Sequence, residues 1–173
     1  TAGMEKTNRD DVEPSFSDLQ ALIAGVSPSN STSSRQQYLL DNVDLPEVMN
    51  TLAMYSIVKH YDSATHNYYV HRDSDGTGLW TLIPWDFDLI WDRLYEPVYG
   101  RYFSGHPFIG SSSVPSWSND HWNKLIDAVV DSPLTQEMYL RRLRTLMDEF
   151  LQAPGTPLAN RLLENRIDAL VAT

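Results

Sequence analysis

The chain contains no cysteine among its 173 residues. Disulfide bridges, thiol nucleophiles and thiolate-bound metals are therefore excluded, although the redox compartment stays open because cysteine-free proteins occur in both. Basic residues are also scarce, since 13 Lys and Arg stand against 23 Asp and Glu, and the formal net charge is −10. No cluster of basic and aromatic residues offers a footprint for nucleic acid, so nucleic-acid binding is not expected.

Long apolar runs are missing as well. No stretch reaches the roughly 18 apolar residues that a membrane-spanning helix needs, and the first residues contain no apolar signal core. We therefore predict no membrane span. The hydrophobic share of 42% and the length are ordinary for a single globular domain, which we assign to residues 1–173. The charged run at residues 5–11 is typical of the interior of a longer protein, so we expect the chain to be a fragment.

Helical patterns dominate the first part of the chain. Apolar spacing predicts a helix over residues 15–24, stopped by Gly25, and the polar residues 27–34 predict a loop. Asp44 stands at an N-cap position before a proline and a glutamate, which predicts a second helix over residues 44–60. Because its apolar residues occupy more than one face, we expect that helix to be central and buried.

The second part of the chain combines β-rich and helical patterns. Two β-rich runs around a turn of Gly and Asp predict a hairpin over residues 68–83. An aromatic segment without regular periodicity predicts a long loop over residues 95–117. Residues 121–171 read as three helices separated by proline-containing breaks. The predicted fold class is therefore α+β, mostly helical, with one small hairpin.

Four polar residues around the predicted hairpin carry a chemical pattern. Asp62 and Asn67 have the D-x-x-x-x-N spacing of a kinase catalytic loop, in which the aspartate receives a hydroxyl proton and the asparagine binds a metal. Asp86 follows the hairpin, where kinases place the aspartate that joins Mg²⁺ to the nucleotide phosphates. Asp88 would point the same way if the strand continued, as a further ligand or a partner of one. We predict a catalytic Asp62 and a metal site at the other three.

Two neighbouring side chains are predicted to support this site, and each site residue also has a simpler interpretation. His66 is expected to shape the catalytic loop, and Trp85 immediately precedes the metal-site aspartate. Taken alone, Asp62 could be a helix-terminal residue, Asp86 could accept backbone hydrogen bonds in a turn, and Trp85 could be a core residue. The joint order of helix, loop and hairpin favours the kinase interpretation.

Residues 61–73 and 78–88 carry a family resemblance, above all in His66-Asn67-Tyr68-Tyr69 and Pro84-Trp85-Asp86-Phe87-Asp88. These segments resemble the CotH family of atypical, kinase-like proteins, and the likeness covers nearly the whole chain. The resemblance implies a kinase-like fold with this chain as its C-terminal lobe, and ATP with Mg²⁺ or Mn²⁺. It also implies phosphorylation of Ser or Thr on secreted, surface or spore-coat proteins of bacteria, with Asp62 as the catalytic-loop aspartate and Asp86 as the metal aspartate.

The chain departs from that family at its front. The family's N-terminal portion supplies a β-sheet lobe, a phosphate-contacting lysine and an acidic partner, which do not fit before Glu5. Lys6 and Lys59 are poor substitutes, because the first lies in a charged run and the second lies at a helix C-terminus, where a cation is simply favourable. We therefore expect this fragment alone to bind nucleotide poorly and to be inactive. The alternative function is a non-catalytic, pseudokinase-like or adhesion module of a large extracellular protein.

Two metal alternatives have weaker support. His60, His66 and His71 lack the ligand order of a zinc site, so packing or hydrogen bonding explains them better. Residues 73–78 are similar to a calcium loop, but no glutamate follows at its twelfth position and a hairpin turn explains the segment.

A glycosidase provides a further alternative. Its carboxylate pair would come from Asp86, Asp88 and Asp92, next to the sugar-stacking rings of Trp85 and Trp91. That interpretation leaves the predicted catalytic-loop aspartate and asparagine without a role.

Overall fold

The computed structural model describes residues 16–60, Ser63, residues 67–91 and residues 123–172. These ranges form six α-helices, a 3₁₀ turn and one antiparallel hairpin, so the predicted α+β, mostly helical class is confirmed. The elements are α1 Ser17–Gly25, α2 Thr32–Asn42, α3 Leu45–Val58, β1 Tyr68–Arg72, β2 Trp80–Pro84, α4 Lys124–Asp131, α5 Pro133–Phe150, the 3₁₀ turn Leu158–Asn160 and α6 Leu162–Val171.

Helix α3 lies at the centre of the fold. Its N-terminus is capped by Asp44, whose carboxylate accepts a hydrogen bond from the Glu47 N–H at 3.2 Å, and a proline stands in the first turn. The helix ends at Lys59, which takes the left-handed conformation with φ 50°. Its buried apolar side chains are Leu45, Val48, Met49, Leu52, Ala53 and Tyr55. The helix predicted over 44–60 is confirmed. Its last two predicted residues, Lys59 and His60, follow the end of the observed helix at Val58.

Helix α5 covers one side of α3. The hydroxyl groups of Ser56 and Tyr139 form a buried hydrogen bond between the two helices. Burial raises the pKa of Tyr139, and the hydrogen bond to Ser56 offsets part of that effect. A second tie comes from Arg142, whose Nε donates to the Asn50 side-chain oxygen. Polar groups thus fix the register of a contact that is otherwise apolar.

The hairpin covers another side of α3. Its register runs from the Tyr68 and Pro84 pair to the Arg72 and Trp80 pair, which confirms the hairpin predicted over 68–83. The hydroxyl of Thr51 in α3 donates to the carbonyl of Leu82 in β2 at 3.4 Å. Side-chain and apolar contacts therefore dock the second strand onto the central helix.

The carboxylate of Asp73 forms hydrogen bonds within the hairpin turn. Oδ2 of Asp73 accepts hydrogen bonds from the Thr77 N–H at 2.7 Å and from the Thr77 hydroxyl at 3.1 Å. These bonds hold the pKa of Asp73 below its ordinary value. A carboxylate engaged in this way stabilises the turn, as the hairpin interpretation of residues 73–78 requires.

The α1 to α2 region differs from the sequence prediction in two respects. The helix predicted over residues 15–24 is present, but Gly25 is its last residue, and a Cβ there would lie 2.3 Å from the Tyr38 ring. Close packing, not a left-handed stop, accounts for this glycine. The loop predicted over 27–34 is wrong in its last part, because Ser31 accepts the Ser34 N–H at 3.2 Å and starts α2.

The C-terminal helical region is confirmed with shifted boundaries. Only Ser132 separates α4 from α5, and α6 follows a 3₁₀ turn that the pattern had included in the last helix. The long loop predicted over 95–117 lies outside the described residues. None of the described helices combines the length and apolar character needed to cross a membrane.

Replacement of Tyr139 by Phe is expected to lower the free energy of unfolding by about 1 kcal/mol at neutral pH, because the Ser56 hydroxyl then stays buried without its partner. The raised folded-state pKa of Tyr139 gives stability that is complete below the unfolded value of 10.0 and is lost as pH rises through the folded value. The variant should therefore lose less stability than wild type when the pH is raised from neutral to above 10.0.

Urea unfolding across this pH range measures both effects. Tyr69→Phe is the matched control, since that ring is 58% exposed and should change neither quantity. An alkaline profile of Tyr139→Phe that coincides with wild type would contradict the prediction.

Candidate functional site

Two of the predicted metal-site residues lie at the same end of the hairpin. Asn67 immediately precedes β1, and Asp86 follows β2 by two residues. Beyond the last strand pair, the Trp85 N–H donates to the Asn67 carbonyl at 3.0 Å. The structure thus places Asn67 and Asp86 at neighbouring strand ends, at one end of the hairpin. Their predicted role as metal ligands stays a prediction.

Both residues have a left-handed backbone, with φ 67° at Asn67 and φ 55° at Asp86. Asn and Asp tolerate this region better than other non-glycine residues, and such conformations are found more often at functional sites. The turn at Asp86 also means that β2 does not continue past Pro84. The strand alternation expected to place Asp88 on the same side as Asp86 is therefore absent. Both carboxylates are exposed.

An aromatic cluster, made of Tyr55, His60 and Phe87, anchors this segment. The Phe87 ring centroid lies 4.9 Å from that of His60 and 6.3 Å from that of Tyr55. The rings of Tyr55 and His60 pack edge to face at 5.1 Å. Because Phe87 stands between the two aspartates, packing of one apolar ring fixes where both carboxylates leave the fold.

The exit from α3 is also held by packing. His60 is 5% exposed, which confirms the prediction that it packs, and the buried Ser63 hydroxyl donates to the His60 carbonyl at 3.0 Å. The adjoining Asp62 and His66 lie outside the described residues, so their predicted roles stay predictions. His71 lies on the hairpin and is exposed.

The tryptophans of the hairpin have opposite environments. Trp80 is 7% exposed and belongs to the core, whereas Trp85 is 54% exposed, so the core interpretation is wrong for Trp85. The Trp85 ring centroid lies 6.2 Å from that of the exposed Tyr69. Together with Ile83, which pairs with Tyr69 across the hairpin, they form an exposed aromatic patch next to Asp86.

The donor set fits a hard divalent cation. Mg²⁺ prefers oxygen ligands and usually keeps waters or phosphate oxygens for its other positions, so an amide from Asn67 and a carboxylate from Asp86 suit it. Within the part of the chain that the structure describes, no three His, Asp or Glu side chains are grouped to hold a metal by themselves. Asp92 of the glycosidase alternative lies outside that part.

A further link at the site was not foreseen from the sequence. The Asn123 side chain accepts hydrogen bonds from the N–H groups of Leu125 and Ile126 at 3.0 and 3.2 Å, and so caps α4. It also bonds to the Tyr68 hydroxyl, partly offsetting the burial that raises the pKa of Tyr68. The start of α4 is thereby tied to the residue after Asn67. An Asn directly before an apolar helical pattern is the signal that could have indicated the cap.

Comparison with known proteins identifies the family. The family model described as CotH kinase protein matches residues 2–173. The chain therefore belongs to the CotH kinase protein family, as the two motif segments predicted. A curated relative, the inner spore coat protein H of Bacillus subtilis (strain 168), is 38% identical over 52 residues, which are 30% of this chain and 14% of that protein. The matched part is thus a small share of the relative's length.

Replacement of Phe87 by Ala should lower the free energy of unfolding by about 1 to 3 kcal/mol, less than for a fully buried Phe because the ring is half-buried. Urea unfolding measures the change. Trp85→Ala, two residues away and 54% exposed, is the control and should stay within about 0.5 kcal/mol of wild type. Equal losses in the two variants would show that the aromatic cluster does not anchor the segment.

Proposed function

We propose that this chain supplies the catalytic part of a metal-dependent protein kinase. Asp62 receives the proton of a Ser or Thr hydroxyl. Asn67 and Asp86 would hold Mg²⁺ or Mn²⁺, which would supply positive charge to the phosphates of ATP. The observation that supports this most is the meeting of Asn67 and Asp86 at one end of the hairpin, joined by the bond between the Trp85 N–H and the Asn67 carbonyl. Membership in the CotH kinase protein family agrees with it.

The proposed chemistry is an in-line phosphoryl transfer. The acceptor oxygen forms a bond to the γ-phosphorus as the bond to the β–γ bridging oxygen breaks, and ADP leaves with that oxygen. The hydroxyl proton passes to the Asp62 carboxylate. When bound, the divalent cation supplies charge neutralisation at the phosphate oxygens. The protein therefore contributes mainly orientation, and the anchored Phe87 and the left-handed Asn67 and Asp86 are the means of that orientation.

The aromatic patch is a suitable surface for the nucleotide base. Tyr69 and Trp85 are 58% and 54% exposed, and the patch adjoins the Asp86 carboxylate. A planar base stacked there would carry its phosphates towards the metal ligands, since aromatic rings favour stacked or edge contacts with other rings. The same exposure favours the second candidate function, a non-catalytic module that uses the patch to bind a protein partner.

The acceptor is proposed to be a Ser or Thr of a protein at the cell or spore surface. The support is the name of the relative, an inner spore coat protein. For the whole parent protein, we also propose that it is secreted or located at the cell or spore surface.

Phosphate transfer from γ-labelled ATP by the parent protein, with Mg²⁺ or Mn²⁺, tests the kinase proposal. Asp62→Asn should reduce the rate by about 100-fold or more, as expected when a catalytic base is removed. Asp86→Asn should cause a comparable loss and raise the metal concentration needed for half-maximal rate. Asp75→Asn, an exposed change in the hairpin turn, is the control and should leave the rate unchanged.

Transfer that survives both site substitutions would refute the assignment. No transfer by any form, together with retained protein binding that Trp85→Ala removes, would favour the non-catalytic module.

ATP binding by this chain alone is expected to be weak and to require a divalent metal, because Asn67 and Asp86 attract phosphates only through a cation and carboxylates repel them. Titration calorimetry with and without Mg²⁺ measures the difference. Equal affinity in the presence of a chelator would contradict the expectation.

A further inference from the structure

A cavity of about 410 Å³ lies between α3, α5 and α6. Its volume is within the range of roughly 300 to 1,000 Å³ that is usual for small-molecule sites. The walls are mostly apolar, and their apolar side chains include Met54, Ile57, Val58, Leu146, Phe150 and Leu163. None of the described metal-site residues lines it, so the cavity is distinct from the candidate site.

Polar and apolar lining residues are separated along the α3 wall of the cavity. On α3 the lining residues recur every three or four positions from Glu47 to Val58, which is about 16 Å of helix. Glu47 and Asn50 stand in the first half of that stripe, whereas Met54, Ile57 and Val58 form the second half. On this wall the polar groups therefore lie towards one end. The opposite wall differs, because the Ser56–Tyr139 and Asn50–Arg142 bonds make α5 antiparallel to α3. Leu146 and Phe150 of α5 thus lie on the side of the polar half of α3.

Arg142 is the cation among the lining residues. Its Nε donates to the Asn50 side-chain oxygen, and the side chain is half-buried. On the same helix, Arg141 and Arg144 each pair with a carboxylate one turn away. Arg142 forms no ion pair with any carboxylate of the described ranges. A half-buried guanidinium that keeps free donors favours an anionic ligand, because it binds carboxylates through two parallel hydrogen bonds.

We propose that this cavity binds a single-chain amphiphile, with its apolar tail along α3 and its carboxylate on Arg142. An uncharged apolar ligand would leave the guanidinium without a counter-charge. A cationic head group would be repelled by Arg142. It would gain little from Glu47, because that carboxylate is exposed and already solvated. The apolar walls and the half-buried guanidinium together favour a fatty-acid-like ligand.

Titration calorimetry of this chain with dodecanoate, below the concentration at which it forms micelles, tests the proposal. Wild type should bind one dodecanoate saturably. Arg142→Gln should weaken that binding by about tenfold or more, since it removes a charge-assisted pair. Arg141→Gln is the matched control, because this arginine is on the same helix with a 78% exposed side chain and should leave the affinity unchanged.

A second measurement does not depend on the folding of an arginine variant. Trp91 lines the cavity, and its backbone N–H donates to the Val58 carbonyl at 2.7 Å. Dodecanoate with a terminal bromine should quench the fluorescence of wild type saturably, and Trp91→Phe should remove most of that quenching.

Three results would overturn the proposal. They are a lack of saturable dodecanoate binding and quenching by wild type, equal weakening by Arg141→Gln and Arg142→Gln, and binding of dodecyltrimethylammonium that is as tight as that of dodecanoate. None of these measurements uses phosphate transfer, so the amphiphile site and the kinase proposal can fail independently.

Discussion

The structure depends on the burial of α3 on almost all of its sides. Leu52 and Val48 have no exposed surface and Tyr55 has 1%, so the helix needs neighbours in several directions at once. Helix α5 covers one direction and β2 another, and each also takes up a polar group of α3, through Ser56 and Thr51. Because the buried hydroxyls are paired, this packing has one register. The point where α3 ends then determines where the candidate site can begin.

Apolar contacts, and not the charged groups themselves, position the candidate site. Asp86 and Asp88 are exposed, and Phe87 between them packs against His60 at the end of α3. The arrangement keeps the carboxylates in water, which avoids the cost of burying charge, while the backbone that carries them is fixed. The same logic applies to Asn123, which holds the residue next to Asn67.

Features with a local cause were predictable from the sequence, and features with a tertiary cause were not. Asp44 and Glu47 predicted the start of α3 because a cap involves residues a few positions apart. Helix α2 was missed because its inward side includes Arg35, whose partner Asp131 is 96 residues away. The anchoring role of Phe87 likewise needs the fold that brings it to His60. Asn67 and Asp86 were placed at one end of the hairpin from their spacing, since strand pairing is also local.

The left-handed backbone at Asn67 and Asp86 has a consequence for divergence within the family. Glycine adopts this conformation readily, so a glycine at either position would preserve the chain path and remove the side-chain oxygen that we propose as a metal ligand. A branched residue such as valine would instead strain the turn and disturb the hairpin. A single substitution to glycine at either position can therefore keep the fold and remove the proposed chemistry.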